Sequence, residues 1–138
     1  MANATFKYIE QLLYDYPDYE REIKLRREEL MYPRRELDEN IGGSSSHDDT
    51  GFPERYVISL ERDKRLRALE EQQLVIKNCL FELSIPEQRV ISDKYFKRPQ
   101  TLTWEGIAQK RGYSRAQCFR IRESLVQNIA KNLGMRLS

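Results

Sequence analysis

The 138-residue chain holds one histidine, two cysteines, six glycines and five prolines, and it has little sustained hydrophobicity. No apolar run reaches the roughly 18 residues that a membrane-spanning helix needs, so no transmembrane span and no membrane partner are expected. Met1-Ala2-Asn3-Ala4-Thr5 lacks the basic start and apolar stretch of a signal peptide, which points to the cytoplasm. Two cysteines, Cys79 and Cys118, are too few and too distant for a disulfide framework and suit a reducing compartment. Both fall on apolar helical faces and read as buried thiols with no histidine partner nearby in sequence. The single His47 lies beside Asp48 and Asp49 in a Gly/Ser tract, where neither catalytic geometry nor a metal-ligand set can be held. No glycine-rich phosphate loop occurs. The carboxylate pairs Glu28-Glu29 and Glu70-Glu71 sit in charged helical stretches and read as solvated faces. The expectation is therefore no enzyme, no cofactor and no metal.

Charge is abundant and unevenly placed. The formal net charge is only +2, from 24 Lys/Arg and 22 Asp/Glu. Residues 1–83 carry 13 Lys/Arg against 18 Asp/Glu, a net of −5, whereas residues 84–138 carry 11 against 4, a net of +7. An acidic half followed by a basic half is the asymmetry expected when one end meets phosphate and the other meets protein. Near-neutrality of the whole thus hides a basic end.

The fold class read from the periodicity is all-α. Phe6, Ile9, Leu13 and Tyr16 recur on one face of a first helix. Pro17 sits where a second helix would start, with Asp15 or Tyr16 as its cap. Tyr19, Ile23, Arg27 and Leu30 mark its stripe, and Pro33 ends it. Residues 1–32 are expected as an N-terminal helical hairpin. Residues 33–53, with Gly42-Gly43-Ser44-Ser45-Ser46, are expected as a flexible linker. Residues 54–83 contain no glycine or proline. There Ile58, Leu66, Leu69, Ile76, Leu80 and Leu83 suggest one long helix, with Arg62 occupying a stripe position that should be apolar. A dimerising coiled coil and packing against the hairpin both stay open. Six of the eight tyrosines (8, 14, 16, 19, 32 and 56) lie in the first 56 residues, where a protein-contact surface and hairpin packing are equally open.

Residues 84–138 read as three helices forming a DNA-binding domain. Ser84-Ile85-Pro86-Glu87 has capping-box spacing, Val90, Ile91 and Tyr95 give an apolar face, and Pro99 breaks the helix. Thr103 caps the next helix, Gly112 stops it in the left-handed conformation, and Ser114 caps the last, which runs to about Leu133. Ala108 is small enough for close helix crossing, and Cys118, Ile121 and Leu125 fall on a buried face. That register is expected of a helix-turn-helix, with an ordinary three-helix bundle bearing a solvated basic face as the alternative. Its last helix would turn Arg115, Ala116, Gln117, Phe119 and Arg120 towards a major groove. Arg115 and Arg120 could each hold a guanine edge bidentately, and Phe119 could press on a thymine methyl. Arg98, Lys110, Arg111, Ser114 and Arg122 would contact phosphates. Trp104 and Tyr113 read as core. Gly106, inside a helix, suggests a close contact.

These segments carry a resemblance. Arg89-Val90-Ile91-Ser92-Asp93-Lys94-Tyr95-Phe96, Thr103-Trp104-Glu105-Gly106-Ile107-Ala108, Gly112-Tyr113-Ser114-Arg115 and Ile121 resemble region 4 of sigma factors. Asp15-Tyr16-Pro17-Asp18-Tyr19 and Asn40-Ile41-Gly42-Gly43 are similar to marks of the RinA/ArpU family of phage late-gene transcriptional activators of Gram-positive hosts. The resemblance covers nearly the whole chain. It implies a sequence-specific activator in the host bacterial cytoplasm, with double-stranded DNA and host RNA polymerase as partners. A homodimer or higher oligomer stays open. Phe119 stands where a basic residue is common in region 4, so no base preference carries over. The alternative is a small terminase subunit, a viral DNA-packaging adaptor using the same helix-turn-helix. A protein-binding helical module without DNA is a third reading, which the basic C-terminal half disfavours.

Overall fold

Helix α1 (Ala4–Asp15) starts where the Asn3 side chain accepts the Phe6 amide at 2.8 Å, satisfying a donor that an α-helix leaves orphaned at its first turn. It is part of a computed structural model that describes residues 3–32 and 52–137. The Gly/Ser tract, the Asn40-Ile41-Gly42-Gly43 motif and His47 lie outside the described residues. After a 3-10 turn at Tyr16–Asp18 that contains Pro17 come α2 (Tyr19–Met31), α3 (Phe52–Arg62) and α4 (Lys64–Phe81). Then follow α5 (Ile85–Ile91), a π-helical turn (Ser92–Phe96), α6 (Trp104–Arg111) and α7 (Arg115–Asn132). The described residues are all-α.

Residues 54–83, expected as one helix, form two. The break is at Asp63, one position after the off-stripe Arg62. The Asp63 carboxylate accepts the Leu66 amide at 2.7 Å, capping α4, and receives Arg26 through Nε at 3.1 Å and Nη2 at 2.5 Å. A short acidic side chain that can bond its own backbone competes with helix continuation. Arg26 then holds the Asp63 carboxyl below the usual carboxylate range.

The chain divides into two compact units, Met1–Asp18 with Gln72–Ser138, and Tyr19–Glu71. In the second, α2 packs on α3, and Tyr19, Ile23 and Leu66 are buried. In the first, α1 packs against α7 and the π turn, and α5 packs against α6 and α7. The first helix of the expected hairpin thus joins the C-terminal helices, while α2 groups with α3. The boundary expected at residues 83/84 falls inside the first unit, which also includes the end of α4.

The core of this unit is built from one face of each helix. Ile9 and Leu13 of α1, Ile76 of α4, Val90 and Ile91 of α5, and Leu125, Val126 and Ile129 of α7 are almost fully buried. The α1 stripe therefore packs as periodicity predicts. Cys79 and Cys118 are free, buried thiols, and burial pushes both pKa values up. The tyrosines divide: Tyr19 is buried, Tyr14 and Tyr16 pair with Tyr95 and Phe96, and Tyr8 and Tyr32 are exposed.

Candidate nucleic-acid interface

The region expected to meet DNA is built around the turn between α6 and α7. Thr103 Oγ1 accepts the Gly106 amide at 3.0 Å and launches α6. Gly112 closes it at φ 78°, ψ 25°, a conformation any Cβ would strain. The Gly112 and Tyr113 amides both donate to the Ala108 carbonyl, the latter at 3.0 Å. Ser114 then starts α7 with a reciprocal cap. Its Oγ accepts the Gln117 amide at 3.1 Å, and Gln117 Oε1 accepts the Ser114 amide at 2.8 Å. Ala108 is buried at the crossing, and Cys118, Ile121, Leu125, Val126, Ile129 and Ala130 form the inner face of α7. Gly106 is not demanded by crowding: an added Cβ would meet Thr103 Oγ1 at 3.4 Å and Leu102 Cδ2 at 3.7 Å.

The outer face of α7 begins with Arg115, Ala116, Gln117 and Arg120, all exposed. Arg120, with Glu87, Tyr113, Gln117 and Ser124, lines a groove of about 270 Å³. Arg115 reaches Glu105 at 3.5 Å, and its guanidinium lies 5.1 Å from the Phe119 ring centre. Lys94, Thr101, Thr103, Glu105 and Arg115 line an open cleft of about 450 Å³ at the start of α6. The Gln117 side-chain oxygen is engaged in the Ser114 cap. Phe119 is half-buried, edge-to-face with Trp104 at 5.7 Å.

Three arginines expected at phosphates have partners within the protein. Arg98 binds Asp18 through Nη1 at 3.3 Å and Nη2 at 2.9 Å, and donates to the Tyr14 carbonyl at 2.9 Å. Arg111 grips the buried Asp93, Nε to Oδ2 at 2.6 Å and Nη2 to Oδ1 at 3.0 Å. Arg122 packs its guanidinium near the rings of Phe119 (4.8 Å), Phe6 (5.2 Å) and Trp104 (5.5 Å), with Glu10 at 4.0 Å. Lys110 is half-exposed, with its ammonium 3.8 Å from Asp93, and Ser114 lies exposed at the α7 start. The structure thus brings Lys110, Ser114, Arg115, Ala116, Gln117 and Arg120 to the exposed surface of the α6–α7 region, and ties Arg98, Arg111 and Arg122 to protein groups.

A family model described as "Protein of unknown function (DUF722)" matches residues 5–131. The chain belongs to this family. The transcriptional activator rinA of Staphylococcus phage phi11 is 27% identical over 135 residues, which cover 95% of this chain and 91% of that protein. No solved structure matches the chain.

The DUF722 match reaches from α1 to α7, and within it Asp93 and Glu10 support the α6–α7 region without standing out in the sequence. Asp93 is buried on the π turn and receives Lys97 at 2.7 Å as well as Arg111. The Arg111 hydrogen bonds hold its pKa down to about 2, against the opposing effect of burial. Glu10 of α1 accepts the Tyr95 hydroxyl at 2.7 Å, and burial raises the Tyr95 pKa above the usual phenol value. The rings of Tyr14, Tyr95, Trp104 and Phe119 follow one another at 4.8, 6.1 and 5.7 Å. The available signal for Asp93 was a single acid among Arg89, Lys94, Lys97 and Arg98. A buried carboxylate satisfies several neighbouring cations there. Among the described residues, no helix of this DUF722 chain is long and apolar enough to cross a membrane, and no cluster of His, Cys, Asp or Glu could hold a metal ion.

Proposed function

We propose that this DUF722 protein is a sequence-specific DNA-binding transcriptional activator of phage late genes, acting in the host bacterial cytoplasm. The α6–turn–α7 segment is its helix-turn-helix, with α7 entering the major groove and host RNA polymerase as a protein partner. The observation that carries this reading is the exposed start of α7. There Arg115 and Arg120 lie on a tightly capped helix that follows a left-handed glycine turn over a buried alanine. Similarity over 95% of the chain to a protein named as a transcriptional activator supports the regulatory role.

Base readout falls to Arg115 and Arg120, whose forked guanidinium groups match the O6/N7 edge of guanine. Ala116 lets the helix approach closely. Phosphate contacts fall to Lys110 and to the exposed start of α7 at Ser114. Gln117 contributes chiefly by fixing that start. Oligomeric state enters through the test. Footprinting beside a phage late promoter, with transcription by host RNA polymerase measured in parallel, is expected to give a protected site and a protein-dependent rise in transcript. A protected site without added transcript, together with a ring of about eight or more subunits by native mass spectrometry, would replace this reading with the packaging adaptor.

A further inference from the structure

Phe119 sits four residues after Arg115 on α7, the spacing at which two side chains meet on a helix surface. The Arg115 guanidinium lies 5.1 Å from the Phe119 ring centre and that of Arg122 lies 4.8 Å from it. The ring is held by its edge-to-face contact with Trp104 at 83°, and Trp104 in turn stands edge-to-face on Tyr95 at 74°. A half-buried ring with one aromatic and two cationic neighbours is poorly placed to reach a base itself. It is well placed to hold a cation.

We propose that Phe119 is a positioning residue: it fixes the face of the Arg115 guanidinium so that the edge of that group is presented to a guanine. This rests on the DNA-binding reading above and deepens it. The two interactions do not compete. Attraction to a ring uses the flat face of a guanidinium, whereas bidentate bonding to guanine O6 and N7 uses its edge. The other neighbour of Arg115 is easily released. Glu105 stands at 3.5 Å, and the two side chains are 75% and 60% exposed, so the pair holds Arg115 weakly. Arg115 leaves Glu105 for DNA while staying on Phe119. Preorganisation of this kind lowers the ordering cost of binding without adding a contact.

The test is a double-mutant cycle of wild type, Phe119→Leu, Arg115→Ala and the pair. The probe is a duplex that the wild type selects from a random pool, and a copy in which deoxyuridine replaces thymidine. Phe119→Leu is expected to weaken binding about two- to fivefold, the range of an exposed cation–π contact. It should weaken the Arg115→Ala protein no further, and Phe119→Tyr should bind as the wild type does. Removing thymine methyls should leave the effect of Phe119→Leu unchanged. An equal loss in the Arg115→Ala background, or a uracil copy that mimics the loss, would overturn the proposal and return Phe119 to direct contact. Phe119→Met, which keeps apolar bulk without a π face, takes the place of Phe119→Leu should that variant melt below the assay temperature. The free protein gives an independent readout. Arg115 side-chain protons should carry an upfield ring-current shift in NMR spectra that Phe119→Leu removes, and its absence from the wild type would also overturn the proposal. Failure of the wild type to bind any duplex is a different result, removing the DNA-binding reading itself and this role with it.

Discussion

Arg111 closes on Asp93 with two hydrogen bonds, at 2.6 and 3.0 Å, and so ties the last turn of α6 to the π turn that follows α5. The carboxylate is buried, while Lys97 and Lys110 reach it from the solvent side. Such a group stabilises the fold most while it is ionised.

The pH dependence follows directly. The Asp93 pKa is about 2 in the folded protein against an ordinary 3.8. A folded-state pKa below the unfolded one stabilises the fold fully above the unfolded value, and that stability drains as pH falls through about 2. The difference corresponds to about 2 kcal/mol. Urea melts between pH 5 and 2 should show this loss in the wild type. Asp93→Asn should start less stable at pH 5 and lose about that much less on acidification.

The proposed phosphate contacts make a prediction about salt. Lys110→Ala should reduce the slope of log affinity against log salt by about 1, the signature of one lost phosphate contact. Arg98→Ala should leave the slope unchanged and lower the melting temperature instead, because its guanidinium is bound to Asp18 and the Tyr14 carbonyl. Binding isotherms at four or more salt concentrations, with melts of the same proteins, separate the two.

The unit that carries α6 and α7 requires α1. Ile9 and Leu13 are fully buried against a core that includes α7. Leu13→Ala should destabilise by about 2–5 kcal/mol, the usual cost of truncating a buried leucine. A fragment of residues 84–138 should show no cooperative thermal transition by circular dichroism.

Much of the local architecture was legible because its causes are local. Ser84, Thr103 and Ser114 cap helices through bonds spanning three residues, and Gly112 takes the left-handed turn that its position demands. Cys118, Ile121 and Leu125 are buried at the spacing their helix imposes. What was not legible depends on distant partners. Glu10 and Tyr95 bond across 85 positions, so nothing near either residue announces that α1 joins the C-terminal helices. Arg98, Arg111 and Arg122 look like Arg115 and Arg120 in sequence. Only the tertiary positions of Asp18, Asp93 and Glu10 set these three apart. The break at Asp63 lies between, since Arg62 marked a weak position but Arg26 lies 37 residues away.

Gly106 gives a prediction of opposite sign. The site admits a Cβ at ordinary contact distances, and glycine costs a helix interior about 0.8–1 kcal/mol relative to alanine. Gly106→Ala, in the first turn of α6, should therefore raise stability by up to that amount in chemical denaturation. A loss would mean that Thr103 and Leu102 cannot give way.

The claim on which the account turns is that the start of α7 reads DNA sequence. Arg120 tests it most cleanly, being exposed there and having no ion pair or hydrogen bond among the described residues. The measurement is the affinity of wild type and Arg120→Ala for a duplex selected from a random pool and for a random-sequence duplex, at one fixed salt concentration. A loss of about 1–3 kcal/mol is expected on the selected duplex and much less on the random one. Equal loss on both, or no enriched sequence from the pool, would contradict it.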